Sequence, residues 1–188
     1  DENTVEHLHR YAIAFPFVKG KRVLDIACGE GYGSNILAGS ADSVIGVDIS
    51  LDVITAAKKK YHKRNLTFLK GSADEIPLPS KSLDVVVSFE TLEHHDKHDE
   101  MLSEIKRVLK DDGTLIISTP DKANYSDKIK FKNEHHVKEL YDSEFKGLIN
   151  KYFSFTTFLY QRSDFYSLIV PEKRKSEFLL YEGNYEYV

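Results

Sequence analysis

The run Val23-Leu24-Asp25-Ile26-Ala27-Cys28-Gly29-Glu30-Gly31-Tyr32-Gly33-Ser34 joins a short apolar segment and its acid to a turn with glycine at alternate positions. Those glycines admit backbone conformations closed to other residues and leave room for a ligand to approach the chain. Such a turn at the carboxyl end of a parallel strand is where open α/β sheets bind nucleotide-like ligands. A second acid, Asp48, closes the next apolar run, Ser43–Asp48. A carboxylate at that point can accept hydrogen bonds from both hydroxyls of a ribose. Cys28, the only cysteine, sits in the turn with no activating neighbour in sequence. It reads as a small packing residue, and no internal disulfide can form.

These groups need elements to hold them, and strand-like and helix-like segments alternate along the chain. Strands are predicted at Arg22–Ile26, Ser43–Asp48, Leu66–Lys70, Leu83–Phe89 and Thr114–Ser118. The Val-rich fourth reads as buried on both faces. A helix follows from about Tyr32. Ser50 can cap the next, Leu51–Lys63, whose Leu51, Ile54, Ala57 and Tyr61 share a stripe. Met101, Leu102, Ile105, Val108 and Leu109 make the clearest apolar helix face, with Gly113 read as its stop. A long polar stretch, Asp121–His136, then breaks the alternation, and loops of that length are usually functional or disordered. A helix near Ser143–Asn150, a strand Tyr152–Tyr160 and a last strand within Glu177–Glu182 complete the expectation.

A chain of 188 residues is one domain by default. It is 41% hydrophobic and 30% charged, with a net charge of -4. That balance gives no basic footprint for nucleic acid. Lys58-Lys59-Lys60 falls late in a helix, where cations suit the dipole, and reads as a solvated face. No membrane span or secretory signal is visible, so a cytoplasmic setting is expected. The start at Asp1 rather than Met leaves an excised domain open.

On the strand, Asp25, the glycines and Asp48, the chain resembles class I S-adenosylmethionine-dependent methyltransferases. A nicotinamide site is the rival, but its Gly-x-Gly-x-x-Gly spacing would need glycine where Ser34 stands. The family more often has Gly at the position of Ala27. The resemblance covers about residues 5–161. It implies a Rossmann-like, doubly wound, mostly parallel seven-stranded sheet ending in an antiparallel pair. It also implies a single methyltransferase domain over 1–188, with 1–20 as a lid helix and 121–141 as an insert over the acceptor site.

The same resemblance assigns residues. Asp25, Ala27, Gly29, Gly31, Asp48 and Ile49 would hold S-adenosylmethionine, released as S-adenosylhomocysteine. Ala73 and Asp74, after strand three, would meet adenine; an Asx turn or helix cap is the ordinary alternative for Asp74. Phe89 and Glu90 would lie beside the cofactor, and Glu93-His94 resembles a pair that many small-molecule methyltransferases carry after strand four. Arg10 and Tyr11 resemble a segment of methyltransferases from bacterial glycan gene clusters, where such residues can meet the cofactor's carboxylate; Arg suits it by its two-pronged fork. Asn133-Glu134-His135-His136-Val137-Lys138-Glu139 resembles the Asn-Pro-x-His-x-x-Glu segment of those enzymes, with Glu134 in place of Pro. His136 would then take a proton from the acceptor, and His94 is the second candidate; histidine titrates near physiological pH. His95 and His98 read as solvated. A metal could draw on His94, His135, His136 and nearby acids, but the spacing matches no short ligand motif, so none is expected.

The expected function is methyl transfer to a hydroxyl or phosphate oxygen of a small-molecule or glycan acceptor in bacterial surface-polysaccharide metabolism. Two alternatives stand: a quinone or small-metabolite methyltransferase, and a non-catalytic S-adenosylmethionine-binding domain of a larger protein.

Overall fold

The computed structural model describes residues 2–162. Residues 2–158 lie in one compact unit, which holds every element named below. The strands are β1 (Arg22–Ile26), β2 (Ser43–Asp48), β3 (Leu66–Lys70), β4 (Leu83–Phe89) and β5 (Leu109–Ser118). The helices are α1 (Glu2–Ala14), α2 (Tyr32–Leu37), α3 (Leu51–Lys60), α4 (His98–Val108) and α5 (Asp142–Tyr152).

All strand pairs are parallel and the order is β3-β2-β1-β4-β5. The chain winds outward from β1 to β3, then crosses back to place β4 on the other side of β1. That reversal opens a crevice at the carboxyl ends of β1 and β4. Ile26 lies level with Val47 on one side and Ser88 on the other, so the strand ends share one rim.

Side-chain alternation sorts the core into two layers. Val23, Val85 and Val87 meet Tyr11, Ala14 and Leu37 on the α1/α2 face. Leu24, Ile26 and Val86 meet Met101, Leu102 and Ile105 on the other, with Ile149 of α5 beside them. The central strands read as continuous apolar runs because helices cover both faces. No helix among the described residues is long and apolar enough to cross a membrane.

The described sheet has five parallel strands, not seven with an antiparallel pair. Tyr152 ends α5, and residues 153–160 form no strand. The aromatics there follow strand-like spacing, but they pack on helices: Phe158 meets Phe145 edge-on and the Lys106 ammonium lies over the Phe153 ring. Spacing of two without a ladder partner does not make a strand. The strand expected within Glu177–Glu182 lies outside the described residues. α3 stops at Lys60, because Tyr61 turns extended and packs on Phe68. β5 begins at Leu109, and a register shift between the Leu83–Leu109 and Val85–Thr114 pairs bulges out the residues around Gly113. Gly113 therefore sits in a bulge and does not cap a helix.

Candidate functional site

Asp48 is fixed at the end of β2 by two backbone amides. Gly29 N–H donates to one carboxylate oxygen at 3.0 Å and Ser50 N–H to the other at 2.9 Å. Each oxygen keeps a lone pair for a further donor. The glycine turn wraps beside it with Ala27, Gly29 and Gly31 all at positive φ. At Gly31 a β-carbon would sit 2.5 Å from the Phe68 ring. At Gly33 it would sit 1.9 Å from the Tyr11 ring, so this glycine lets α1 lie on α2.

Asp25 and Tyr11 find each other behind the turn. The buried Asp25 carboxylate accepts from Ser34 Oγ at 2.6 Å and from the Tyr11 hydroxyl at 3.2 Å. Burial raises its pKa to about 6, against the pull of those two hydrogen bonds. Burial, with Asp25 beside it, pushes the Tyr11 phenol well above its usual value. Both groups brace α1 and α2 to β1.

Arg10 stands one residue earlier. Its guanidinium approaches Glu6 at 3.7 Å and Glu90 at 3.6 Å, while its buried Nη1 has no hydrogen-bond partner. Glu90 itself is held at φ 51, its N–H donating to Ser118 O and its carboxylate accepting from Ser118 Oγ. Phe89 packs edge-on against Tyr11 in the apolar layer.

A cleft of about 390 Å³ opens at the strand rim, lined by Ala27, Asp48, Ile49, Ala73, Asp74 and His94 among others. Ile49 is exposed there. Asp74 accepts from Lys97 Nζ at 2.7 Å and from the Ser72 hydroxyl. The Lys97 and Ser72 hydrogen bonds hold its carboxyl down at about 2. His95 lines the same cleft, and its Nε2–H donates to Met101 Sδ. His98 is buried, with Nε2–H donating to His95 O at 2.8 Å. Neither is the solvated histidine that the sequence suggested, because the two rings meet edge-on at the start of α4 and each hydrogen-bonds within that turn.

Beyond His94 the cleft meets the insert. A π-helical turn, Ala123–Asp127, opens this segment. Lys122 N–H donating to Leu140 O draws its two ends together. The Glu93 carbonyl accepts from the amides of Val137 at 2.8 Å and Lys138 at 3.1 Å, which stitches the insert to the end of β4. His136 Nδ1–H donates to Glu139 Oε1 at 2.6 Å, and Asn133 Nδ2 donates to His136 Nε2 at 3.1 Å. The His136 ring stacks on Tyr125 at 5.0 Å and meets the edge of His94 at 5.1 Å. His94 Nδ1–H donates to His135 O at 3.0 Å. Next to this pair the Glu93 carboxylate is buried and accepts from Thr119 Oγ1 at 3.0 Å. Burial raises it to about 7, and Glu90 adds to the rise. A hollow of about 640 Å³ adjoins His136, with Lys122, Lys130, Lys132 and Lys138 at its edge.

The structure thus brings His94 and His136 together from positions 42 residues apart in the chain. Sequence reasoning gave Asn133 and Glu139 in one family-like segment and Glu93 in a pair with His94, without joining the two segments at one corner, and it missed Tyr125. Asn133 and Glu139 each stand three residues from His136, and both are its hydrogen-bond partners. Tyr125 carries no comparable signal.

A family model for a methyltransferase domain matches residues 24–117, half of the chain, from β1 through β5. The chain belongs to the class I S-adenosylmethionine-dependent methyltransferases. A probable S-adenosylmethionine-dependent methyltransferase of Mycolicibacterium smegmatis is 34% identical over 131 residues, covering 69% of this chain and 50% of the relative. A fatty-acid O-methyltransferase of the same species is 32% identical over 120 residues, 59% of this chain and 44% of that protein. The chain spans about half the length of the curated relatives it matches. The solved PH0226 protein of Pyrococcus horikoshii shares the fold, with a TM-score of 0.67 at 24% identity over 78% of this chain and 81% of that one. The cofactor of this methyltransferase family is S-adenosylmethionine. The chain fits it on two observations: the orphaned buried guanidinium nitrogen of Arg10, which suits a carboxylate, and the spare lone pairs of Asp48, which suit a diol.

Proposed function

We propose that this chain transfers a methyl group from S-adenosylmethionine to an oxygen of an anionic small-molecule or glycan acceptor. The observation that carries the reading is the histidine pair His94–His136, set where the cofactor cleft meets the insert's hollow. Bound in the cleft, the cofactor supplies a methyl group already activated on a sulfonium and leaves as S-adenosylhomocysteine.

Asp48 takes the ribose hydroxyls. Gly29 and Gly31 give the backbone room for the methionine part, and Arg10 Nη1 takes its carboxylate. Tyr11 and Asp25 serve from behind, holding α1 and the turn in place, while Phe89 and Glu90 shape the wall next to Arg10. Ile49 supplies apolar cover, and Ala73 and Asp74 flank the adenine, where Asp74 shares its oxygens with Lys97. The acceptor's proton is drawn off by His136 and His94. Glu139 holds His136 with its proton on Nδ1 and steadies the ring as it gains charge. Asn133 occupies Nε2 in the resting protein, and the acceptor hydroxyl replaces that donor.

The four lysines around the hollow favour an acceptor with a phosphate or carboxylate. A nucleotide-activated or phosphorylated sugar of surface-polysaccharide metabolism meets that requirement and sets the reaction in the cytoplasm. The similarity to a fatty-acid O-methyltransferase favours a second reading, in which a fatty acid's own carboxylate is methylated.

A screen with methyl-labelled S-adenosylmethionine tests this. Nucleotide sugars, lipid-linked glycans, fatty acids and quinols are offered in parallel. Label in the sugar fractions is the expected result. Label confined to fatty acids selects the second reading, and label confined to quinols rejects both. Tight cofactor binding with no transfer to any class makes the chain a binding domain.

A further inference from the structure

We infer that Glu93, His94 and His136 form a binding site for one divalent first-row transition-metal ion at the seam between β4 and the insert. One ligand atom from each of the three lies within 4.8 Å of the others.

Three features of this corner suit an ion. First, both histidines have Nδ1 committed elsewhere, His94 to the His135 carbonyl and His136 to the Glu139 carboxylate. Each imidazole therefore carries its lone pair on Nε2. Metal-binding histidines characteristically have the far nitrogen tied in this way, and the tie fixes ring orientation. Second, His94 Nε2 and Glu93 Oε1 stand 3.9 Å apart, too far for a hydrogen bond. Two bonds of about 2.1 Å to a shared ion span that gap. Third, Glu93 is buried and its other oxygen is held by Thr119, so the carboxylate is oriented before any ion arrives.

The donor set decides the class of ion. Two imidazoles and one carboxylate match zinc-like ions better than magnesium or calcium, which prefer oxygen throughout. Entry requires that Asn133 Nδ2 release His136 Nε2 and that the three donors draw together, because donors on a tetrahedral ion with bonds of this length stand about 3.4 Å apart. Three protein donors leave further coordination positions open.

The inference rests on the transferase reading above and changes one part of it, the route by which the acceptor's proton leaves. An acceptor hydroxyl at an open position would lose its proton more readily, because a bound cation lowers the proton affinity of an oxygen it touches. The proton passes to water. The oxygen keeps its electron pair for the methyl carbon, and the pair of the broken C–S bond returns to sulfur. The histidines then act by holding the ion and need not take the proton themselves.

The test titrates chelator-stripped protein with Co²⁺, followed by visible absorption, and with Zn²⁺, followed by calorimetry. One saturable equivalent is expected. His94→Ala, at a half-exposed position where folding is not at stake, should weaken binding at least tenfold. Glu139→Gln should weaken it about 10- to 100-fold without removing a ligand. His9→Ala, on α1, should change nothing. Absent saturable binding overturns the inference, as does binding unaltered in both His94→Ala and His136→Ala. Methyl transfer that survives chelator while His136→Ala is inactive leaves the transferase reading intact and removes only the metal. Loss of cofactor binding in the wild-type protein would instead remove the transferase reading and leave the Co²⁺ result to stand by itself.

Discussion

Asp48 and His136 are each oriented by two hydrogen bonds, but from different sources. At the proposed cofactor end, the partners of Asp48 are backbone amides of Gly29 and Ser50, both on turns that leave the sheet directly. At the proposed acceptor end, the partners of His136 are the side chains of Glu139 and Asn133, all on one insert. That insert reaches the sheet end through two amides on the Glu93 carbonyl. Backbone partners survive most substitutions, whereas side-chain partners change with each one. The cofactor end is therefore built to stay constant while the acceptor end can be rewritten without disturbing it.

The strongest break of that comparison is His136→Ala. Turnover should fall by about 100- to 10,000-fold, the usual range for losing a group that handles a proton. Cofactor affinity, read by calorimetry, should stay within about twofold. A parallel loss of affinity would mean that the two ends are not separable.

Asp48→Ala is the mirror experiment. Losing two hydrogen bonds to a charged group should weaken cofactor binding by about 100-fold or more. Undiminished affinity would contradict the ribose assignment.

Asp25→Asn sharpens the comparison from beneath the cofactor end. Burial lifts the Asp25 carboxyl to about 6, above its ordinary 3.8. Between those values the folded protein binds the extra proton and the unfolded chain does not. Stability from this group is thus full below about pH 4 and is lost as pH rises through 6. Thermal melts should show wild type losing up to about 3 kcal/mol relative to Asp25→Asn across that window, then a constant difference above pH 7. Parallel curves would show that Asp25 does not titrate there.

The same contrast explains what the sequence disclosed. Strand identity, the glycine turn, Asp48 and the Ser50 cap, which accepts from Val53 N–H at 3.4 Å, all depend on neighbours within a few residues, so they are legible. The His94–His136 contact depends on how an irregular segment folds back, and no periodicity encodes that. Glu93 is legible only as half of a Glu-His pair after a strand. Its burial comes from Thr119 and the returning insert, both distant in the chain. The aromatic spacing of residues 153–160 misled for a related reason: Phe155 is almost wholly exposed, while Phe153 and Phe158 lie on helices. Spacing reports which side chains could share a face, not whether a sheet edge is there to receive them.

Gly33→Ala is a smaller effect that tests the brace. The new methyl would lie 1.9 Å from the Tyr11 ring, so α1 must shift. Overpacking of this kind costs about 1–3 kcal/mol. A fall in melting temperature should come with weaker cofactor binding, because Arg10 moves with Tyr11. Intact affinity in a destabilised variant would show that Arg10 reaches the cofactor independently of α1's seat.

The smallest expected effect has the opposite sign. Ala27 holds φ 55 at the start of the turn. A left-handed backbone costs a residue with a β-carbon about 1–2 kcal/mol. Glycine removes that strain, but it loses about 0.4–1 kcal/mol through the greater freedom of the unfolded chain. Ala27→Gly should therefore stabilise the protein by about 0.5–1 kcal/mol in denaturant titration. The gain belongs to the cofactor end alone, so turnover at saturating cofactor should not change. A destabilised Ala27→Gly would mean that the methyl group makes packing contacts worth more than the strain, and that the turn tolerates its left-handed alanine for the sake of the wall it gives the cleft.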